Sequence, residues 1–566
     1  MQKKWLVKDI PPAAEVEKLA QAININPALA SLLVQRGITD YEQAKKFFRL
    51  SLSHLHDPFL MQDMALAVRR LATAIEKKES ILIYGDYDVD GTTSVAMMVT
   101  FLRQHTATVD YYVPDREGEG YGVSEQGVRW AIDHGVNLII SLDCGIRAHD
   151  KVAMAKEKGI DFIICDHHTP GESLPPAMAV LDPKRSDCHY PYKELSGCGV
   201  GFKLLQGLTK VNSWEEADLW PLLDLVAVSI AADIVPITGE NRVLCHFGLR
   251  RLAQEPRPGL AALIKVGALK SPLTVTRVVF GIAPRINAAG RMEHANGAVE
   301  LLLSHDEGEA AILASQVNSK NEYRKETEQE IVEEALAMID AEGEGKKTTV
   351  LYRPHWHKGV IGIVASKCLE HFHRPTIILT QSNGQATGSA RSVSGFDIHA
   401  AIGACGELLE QFGGHKYAAG LTLKTENIAA FKQRFEEVVA ASITEEQLSP
   451  AIRIDEELEL GVISANFIKI IDQMEPFGPG NMKPVFVTRR LRAVGQPRLL
   501  KDLHLKMDVV DEDGVVLAAI GFNMPEAYQQ VAGGGYFDMV YTLEENDFRN
   551  QKTIQLHIKD IHPKNS

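Results

Sequence analysis

Between residues 79 and 235, short apolar runs alternate with amphipathic stretches, and this alternation restricts the fold more than any other feature of the chain. The runs Ile81–Tyr84, Val109–Val113, Val136–Leu142, Asp161–Cys165 and Ala179–Leu181 read as strands. Thr93–Gln104, Ser124–Asp133 and Ala148–Lys158 read as the helices between them. Strand–helix alternation of this kind gives a mainly parallel sheet covered on both faces. Ligands of such sheets bind beyond the carboxyl ends of the strands, so chemistry is sought there.

The strand ends are unusually acidic. The first run leads into Asp86-Tyr87-Asp88-Val89-Asp90-Gly91, with three carboxylates at alternate positions. In an extended segment these project to one side. The third run ends at Asp143, the fourth at Asp166-His167-His168, and the apolar run Leu225–Ala232, read as a further strand, at Asp233. Like charges gathered at one rim raise the free energy unless a cation compensates. Carboxylates mixed with imidazole suit Mn²⁺, and the oxygen-rich share suits Mg²⁺. A pair of such ions, as in other two-metal sites, would neutralise charge developing on a phosphodiester and activate water, with no need for a serine or cysteine nucleophile.

The rest of the chain adds domains. Its 566 residues exceed one core. The expected division is a helical segment at 1–50, a catalytic α/β domain at 51–304, a connecting helix at 305–346, a second α/β domain at 347–445 and a strand-rich β-barrel at 450–566. Residues 305–342 lack proline and are rich in Glu and Ala, which reads as a long solvated helix. The net charge of −14 argues against a nucleic-acid partner at first sight. However, −9 of it lies between Asp306 and Glu344, in 12 acidic and 3 basic residues, so a basic groove elsewhere is allowed. The seven cysteines form no CxxC pair, which fits reduced thiols and a cytoplasmic location. No apolar run is long enough to span a membrane.

Longer motifs carry a family resemblance. Tyr84–Gly91, Pro114 to Tyr121–Ser124, Asp143–Gly145, Asp166–Gly171, Ala232–Pro236, Pro284–Arg291, Trp356–Gly362, Gly388–Ser392 and Phe412–Gly420 together resemble the DHH phosphoesterase superfamily. Within it, the resemblance is to the exonucleases that degrade single-stranded DNA from the 5′ end. It implies two α/β domains, DHH and DHH-associated, joined by a long helix, with a C-terminal OB-like barrel. It implies Asp88, Asp90, Asp143, His167 and Asp233 as metal ligands, Asp86 as a further member of the metal set, and His168 beside them in the catalytic group. Two Mn²⁺ or Mg²⁺ ions are the implied cofactor. Small relatives carry His where this chain has Tyr84.

For substrate, the resemblance points to Arg116, Tyr121 and Ser124, to Arg285, Asn287 and Arg291, and to Arg391, His415 and Lys416 in glycine-rich stretches. In the barrel region, six Arg/Lys residues face one acid between Arg489 and Lys506. Phe477, Phe486, Phe522, Tyr536 and Phe548 are candidates for base stacking or for core. The implied activity is 5′→3′ hydrolysis of single-stranded DNA to 5′ mononucleotides, in repair and recombination. A single-stranded-DNA-binding protein and a RecQ-type helicase are implied partners. Two other readings stand beside it: a nanoRNase or cyclic-dinucleotide phosphodiesterase, which usually lacks the barrel-bearing C-terminus, and a non-catalytic replication scaffold, which predicts eroded acidic motifs.

Overall fold

The computed structural model describes residues 3–292, 294–343, 345–548 and 551–564. The chain forms two compact units, one of Trp5–Ile286, Ala295–Ala314 and Arg453–Ser566, the other of Met1–Lys4, Asn287–His294 and Ser315–Ile452.

The first unit is built on β1 (Ile81–Gly85), α1 (Val89–Leu102), β2 (Val109–Tyr112), α2 (Glu125–Asp133), β3 (Leu138–Leu142), α3 (His149–Glu157), β4 (Asp161–Cys165) and β5 (Ala179–Leu181). The five strands pair in parallel in the order β2-β1-β3-β4-β5. Both β1 and β3 are buried along their whole length, as a doubly covered parallel sheet requires. Helices α4 (Gly197–Val211) and α5 (Leu223–Ala232) follow. Pairing register aligns the strand ends. Gly85 pairs with Leu142, Leu142 with Cys165, and Cys165 with Leu181. The next residue on each strand is therefore Asp86, Asp143, Asp166 and Asp182, four aspartates along one rim.

One expectation is corrected. Leu225–Ala232 is the body of helix α5, not a strand, so Asp233 caps a helix C-terminus. Every residue from Leu223 to Ala231 is buried, and an apolar run hidden on all sides carries no periodicity to separate helix from strand.

Helix α6 (Glu307–Glu342), which belongs to the second unit from Ser315 onward, leads into the sheet formed by β6 (Thr349–Tyr352), β7 (Thr376–Ser382), β8 (Gln385–Arg391), β9 (Gln411–His415) and β10 (Ala418–Leu423). Its order is β9-β10-β8-β7-β6, with β6 and β7 parallel and the others antiparallel. Helix α6 is not solvated all round, contrary to its acidic composition. Ala310, Ala314, Val317, Asn321, Arg324, Glu328, Ile331, Ala335 and Ile339 are buried, each three or four residues after the last. That stripe is the seam of a packed helix, concealed in the sequence by small and charged residues. Ile331, Ala335 and Ile339 pack with Trp356, Val360 and Val364.

The C-terminal part of the first unit is a barrel. Strands β11 (Phe486–Leu500), β12 (His504–Val510), β13 (Val516–Gly521), β14 (Phe537–Phe548) and β15 (Gln551–Pro563) pair in the order β11-β12-β13-β15-β14, and β14 returns to β11. The closure removes free edges. Phe486, Leu505, Val509, Met539, Tyr541 and Leu556 fill the barrel, and Leu19, Leu29, Leu32 and Leu33 of the N-terminal helices belong to the same core. The N-terminal helices Ala13–Ile23 and Pro27–Val34 thus cover the barrel.

Candidate metal centre

The centre is assembled at the rim. Asp88 is the N-cap of α1, its carboxylate accepting the Gly91 amide at 3.0 Å. Asp90, in the first turn, is buried and held by four donors that fix its orientation: the Gly197 amide at 2.7 Å, the Cys198 amide at 2.9 Å, the Ser229 hydroxyl at 2.7 Å and the Ser94 hydroxyl at 3.4 Å. Asp143 takes a left-handed backbone with φ 61°. Gly197 makes room for it, since a Cβ there would lie 2.6 Å from the Asp143 Cβ.

His167 Nε2 lies 3.2 Å from Asp143 Oδ1, 3.5 Å from Asp233 Oδ2 and 3.8 Å from Asp90 Oδ2. Two triads offer ligand atoms mutually within 4.8 Å: Asp143, His167 and His168, and Asp90, His167 and Asp233. Asp86 is fully buried. The Gly122 amide donates to its Oδ1 at 3.3 Å, and its Oδ2 has no hydrogen-bond partner among the described residues.

Electrostatics give the same picture. Burial first, then the charge of Asp88, pushes Asp86 well above the ordinary carboxylate range. Burial and Asp90 push Asp88 and Asp143 up, and burial with Asp90 and Asp88 does the same to Asp233. Burial lowers His167 even though Asp90 opposes it, which favours neutral imidazole, the form that ligates metal. Both His167 ring nitrogens are buried with no hydrogen-bond partner among the described residues. Buried polar atoms are nearly always paired, so an unpartnered ring among these carboxylates fits a metal-ligand position. The donor set, oxygens with one or two imidazoles, suits Mn²⁺ or Mg²⁺.

Asp166, the first residue of the DHH motif, is an organiser. Its Oδ1 accepts from the His167 amide at 2.7 Å, the His168 amide at 3.1 Å and His168 Nδ1 at 2.8 Å, and its Oδ2 accepts from the Ile146 amide at 2.9 Å. Burial works against its charge, but the His168 hydrogen bond and charge outweigh it and hold the carboxyl well below the usual range. His168 in turn is pushed up to about 9: burial opposes protonation, and the Asp166 bond and charge overcome it. Sequence reading did not single out Asp182. Burial raises it to about 7, and its position one residue past an in-register strand end was the available signal.

The expected substrate residues divide. Tyr121 is 57% exposed, and its hydroxyl meets His168 Nε2 at 3.0 Å. Arg116 lies 5.2 Å over the Tyr87 ring, and Tyr87 packs edge-on against Tyr121. This group adjoins the metal cluster. Ser124 is buried and caps α2 by accepting the Gly127 amide at 2.8 Å. Tyr84 is also spoken for: its ring is buried and its hydroxyl accepts the Ser124 amide at 3.0 Å. Arg285 donates to the Gly281 carbonyl at 2.5 Å in the first unit. Asn287, Arg291, Arg391, His415 and Lys416 belong to the second unit. There Arg291 donates to the Gly359 carbonyl at 3.2 Å, Arg391 to the Ser389 hydroxyl at 3.0 Å, and His415 ends the exposed edge strand β9, with Lys416 just past it. In the barrel Phe486 is fully buried and Phe477 packs against the core, whereas Phe522 is 52% exposed. Arg490 and Arg492 sit over the Tyr536 ring at 4.8 and 5.1 Å. The side chain of Phe548 lies outside the described residues.

Known proteins share this arrangement. The chain matches the family models for the DHH family N-terminal domain over residues 80–230, the DHHA1 domain over 345–441 and the RecJ OB domain over 454–560. It is 38% identical over 558 residues to the single-stranded-DNA-specific exonuclease RecJ of Bacillus subtilis (strain 168), covering 97% of this chain and 70% of that protein. To the protein of the same name in Escherichia coli (strain K12) it is 33% identical, covering 97% and 98%. The crystal structure of RecJ in complex with Mn²⁺ from Thermus thermophilus superposes with a TM-score of 0.86 at 28% identity, covering 100% of this chain and 80% of that one. A crystal structure of exonuclease RecJ bound to manganese gives a TM-score of 0.61 at 34% identity, covering 70% and 98%. With its domains, its acidic rim and its identity over nearly the full length, the chain belongs to the RecJ family of DHH phosphoesterases.

Proposed function

We propose that this chain is a single-stranded-DNA-specific exonuclease that hydrolyses phosphodiester bonds from the 5′ end and releases 5′ mononucleotides. The observation that carries the reading is His167, buried with both nitrogens unpartnered among the described residues, amid carboxylates whose burial and mutual repulsion resist ionisation. Asp88, Asp90, Asp143, His167 and Asp233, with Asp86, would hold two Mn²⁺ or Mg²⁺ ions. Such ions neutralise charge building on the phosphorus oxygens and lower the pKa of bound water.

The chain's own groups fix the geometry. The amides of Gly197 and Cys198 and the Ser229 hydroxyl clamp Asp90, so both of its oxygens are preset. Asp166 holds the His168 ring, which keeps Nε2 directed at the Tyr121 hydroxyl, where the strand would enter. Arg116 provides a cation next to Tyr121 for a phosphate. Arg285, Asn287, Arg291, Arg391, His415 and Lys416 are further proposed contacts to DNA. The basic strand β11 and the exposed Phe522 support contact of the barrel with backbone and bases.

Partnership with a single-stranded-DNA-binding protein and a RecQ-type helicase, and a role in DNA repair and recombination, follow from family resemblance. All seven cysteines are free, which supports a cytoplasmic site of action.

Hydrolysis of end-labelled single strands, each end blocked in turn, tests the reading. A 5′ block should stop release of mononucleotides and a 3′ block should not. The reverse result overturns the polarity. Preference for a dinucleotide over a strand of about 40 nucleotides, well beyond the site size of one OB fold, would favour the nanoRNase reading instead.

A further inference from the structure

The first unit contains a cationic cavity that the metal centre does not use. It has a volume of about 340 Å³ and lies among the N-terminal helices, the segment after Asp233 and the loop at Gly480. Its lining is mixed: Ile38, Phe47, Leu50 and Val243 are apolar, Arg36, Lys46 and Arg242 are cationic, and His54 and His56 complete it.

The cations there lack a counter-charge. Arg242 is 4% exposed; its guanidinium lies 3.8 Å over the Phe47 ring, and among the described residues it donates only to the carbonyls of Phe47, Met474 and Glu475, at 2.6, 3.0 and 2.9 Å. Its Nε is buried with no partner among the described residues. Arg36 donates to the Asn481 side-chain oxygen and to the carbonyls of Leu32 and Met482. The carboxylate nearest in effect, Asp455, is taken by Lys8 at 2.5 Å. Glu240, the one acid in the lining, is fully engaged: the His56 amide at 2.8 Å, Lys203 Nζ at 3.1 Å and the Tyr190 hydroxyl at 2.6 Å occupy its oxygens. Burial, then repulsion from Arg36, pushes Arg242 down to about 10. A buried guanidinium satisfied only by neutral acceptors is costly, and an anion relieves that cost.

The backbone adds donors. Helix Gly239–Gln254 begins at this cavity, and its N-cap Thr238 makes no capping hydrogen bond, leaving first-turn amides for an anion. The volume lies within the range of small organic ligand pockets, about 300–1,000 Å³, and exceeds what a bare phosphate fills.

We propose that this cavity binds a deoxynucleoside 5′-monophosphate, the phosphate against Arg36, Lys46, Arg242 and the helix N-terminus, the base against the apolar side chains of Ile38, Leu50 and Val243. The choice of a deoxynucleotide rests on the exonuclease reading, since that reaction releases such a product. The lining residue Ile237 is four residues past Asp233, so the ligand would sit on the same segment that carries a metal ligand.

The test is calorimetric titration of the full-length Asp143→Ala chain, whose impaired metal centre removes product binding there. The probes are thymidine 5′-monophosphate, thymidine and inorganic phosphate. The monophosphate should bind at one site, with thymidine and phosphate each at least about tenfold weaker, as expected when one charged hydrogen-bond set or one apolar contact set is missing. Adding Lys46→Glu, at an exposed position, should weaken the monophosphate about tenfold or more, while Lys46→Glu alone keeps nuclease activity. The proposal falls if the monophosphate does not bind Asp143→Ala, if Lys46→Glu leaves its affinity unchanged, or if phosphate binds as tightly. A wild-type chain without nuclease activity would instead defeat the exonuclease reading, whatever the titration gives.

Discussion

His168 Nδ1 donates to Asp166 Oδ1 at 2.8 Å, and the same carboxylate accepts from three backbone amides around the motif. The first residue of the DHH signature therefore positions the two that follow. Asp166→Asn removes an accepting oxygen without changing size. We expect a loss of about 10–100-fold in hydrolysis, as for other groups that orient metal-binding imidazoles, and about 1–3 kcal/mol of stability. Steady-state kinetics and thermal melts check both; wild-type kinetics in this variant would remove Asp166 from its positioning role.

Metal and pH are linked by the same charges. Asp86, Asp88, Asp143 and Asp233 have raised pKa values in the metal-free fold, so the folded chain binds more protons than the unfolded chain above about pH 4. Stability of the metal-free protein should fall as pH rises from there towards neutrality. His168 acts in the same direction: its contribution is complete below its unfolded value and is lost as pH rises through about 9. Mn²⁺ at about 100 times its Kd should restore about 2.7 kcal/mol. Melting curves with chelator and with Mn²⁺, from about pH 5 to about pH 8, measure this. A metal-free melting temperature that rises over that interval contradicts the site.

Asp143→Ala should reduce metal-dependent digestion of single-stranded DNA by at least about 100-fold, the upper cost of losing a mere orienting group. Because it also deletes a repelling carboxylate, the metal-free variant should melt no lower than the metal-free wild type. Retained activity would show that Asp143 is not a ligand.

Gly197→Ala tests packing behind the centre. The new methyl would meet the Asp143 Cβ at 2.6 Å and Cα at 2.7 Å, so the strand end must shift. Overpacking of this kind typically costs about 1–3 kcal/mol, and the displaced Asp143 should weaken Mn²⁺ binding measured by calorimetry. Unchanged Mn²⁺ affinity would mean that the rim tolerates the movement.

Two phenylalanines of the barrel should behave oppositely. Phe522→Ala removes a half-exposed ring and should weaken single-strand binding by about 1–3 kcal/mol with little change in melting. Phe486→Ala empties a fully buried position and should cost about 3–5 kcal/mol of stability. Filter binding and melting curves distinguish them, and a destabilised Phe522→Ala would assign that ring to the core.

Much of the centre was legible in the sequence because its parts are local. Asp86, Asp88 and Asp90 stand at alternate positions after one strand, but the segment does not stay extended: Asp88 caps helix α1 and Asp90 lies in its first turn. Asp143 and Asp166 each end a clear apolar run. Asp233 was found as a site residue, but its support was misread: α5 is buried on every side, and burial erases the helical period. Within the glycine-rich stretch that carries His415, Gly413 and Gly414 lie in edge strand β9, paired with β10, a contact set by partners rather than by composition. Phe486 and Phe522 have the same composition signal and opposite exposures, since inside and outside are decided by barrel closure. The role of Tyr84 depends on Ser124, forty residues away, and no local pattern reports it.

The shared core of the N-terminal helices and the barrel joins segments far apart in the sequence; Trp5 Nε1 even donates to Asp560 at 2.8 Å. During synthesis the first helices leave the ribosome long before their packing surface exists. Leu19, Leu29, Leu32 and Leu33 must therefore wait, exposed or chaperoned, while the catalytic sheet folds between them and their destination. Trimming either extremity uncovers a greasy face on the other, so nuclease lost after such trimming reports clumping before it reports chemistry.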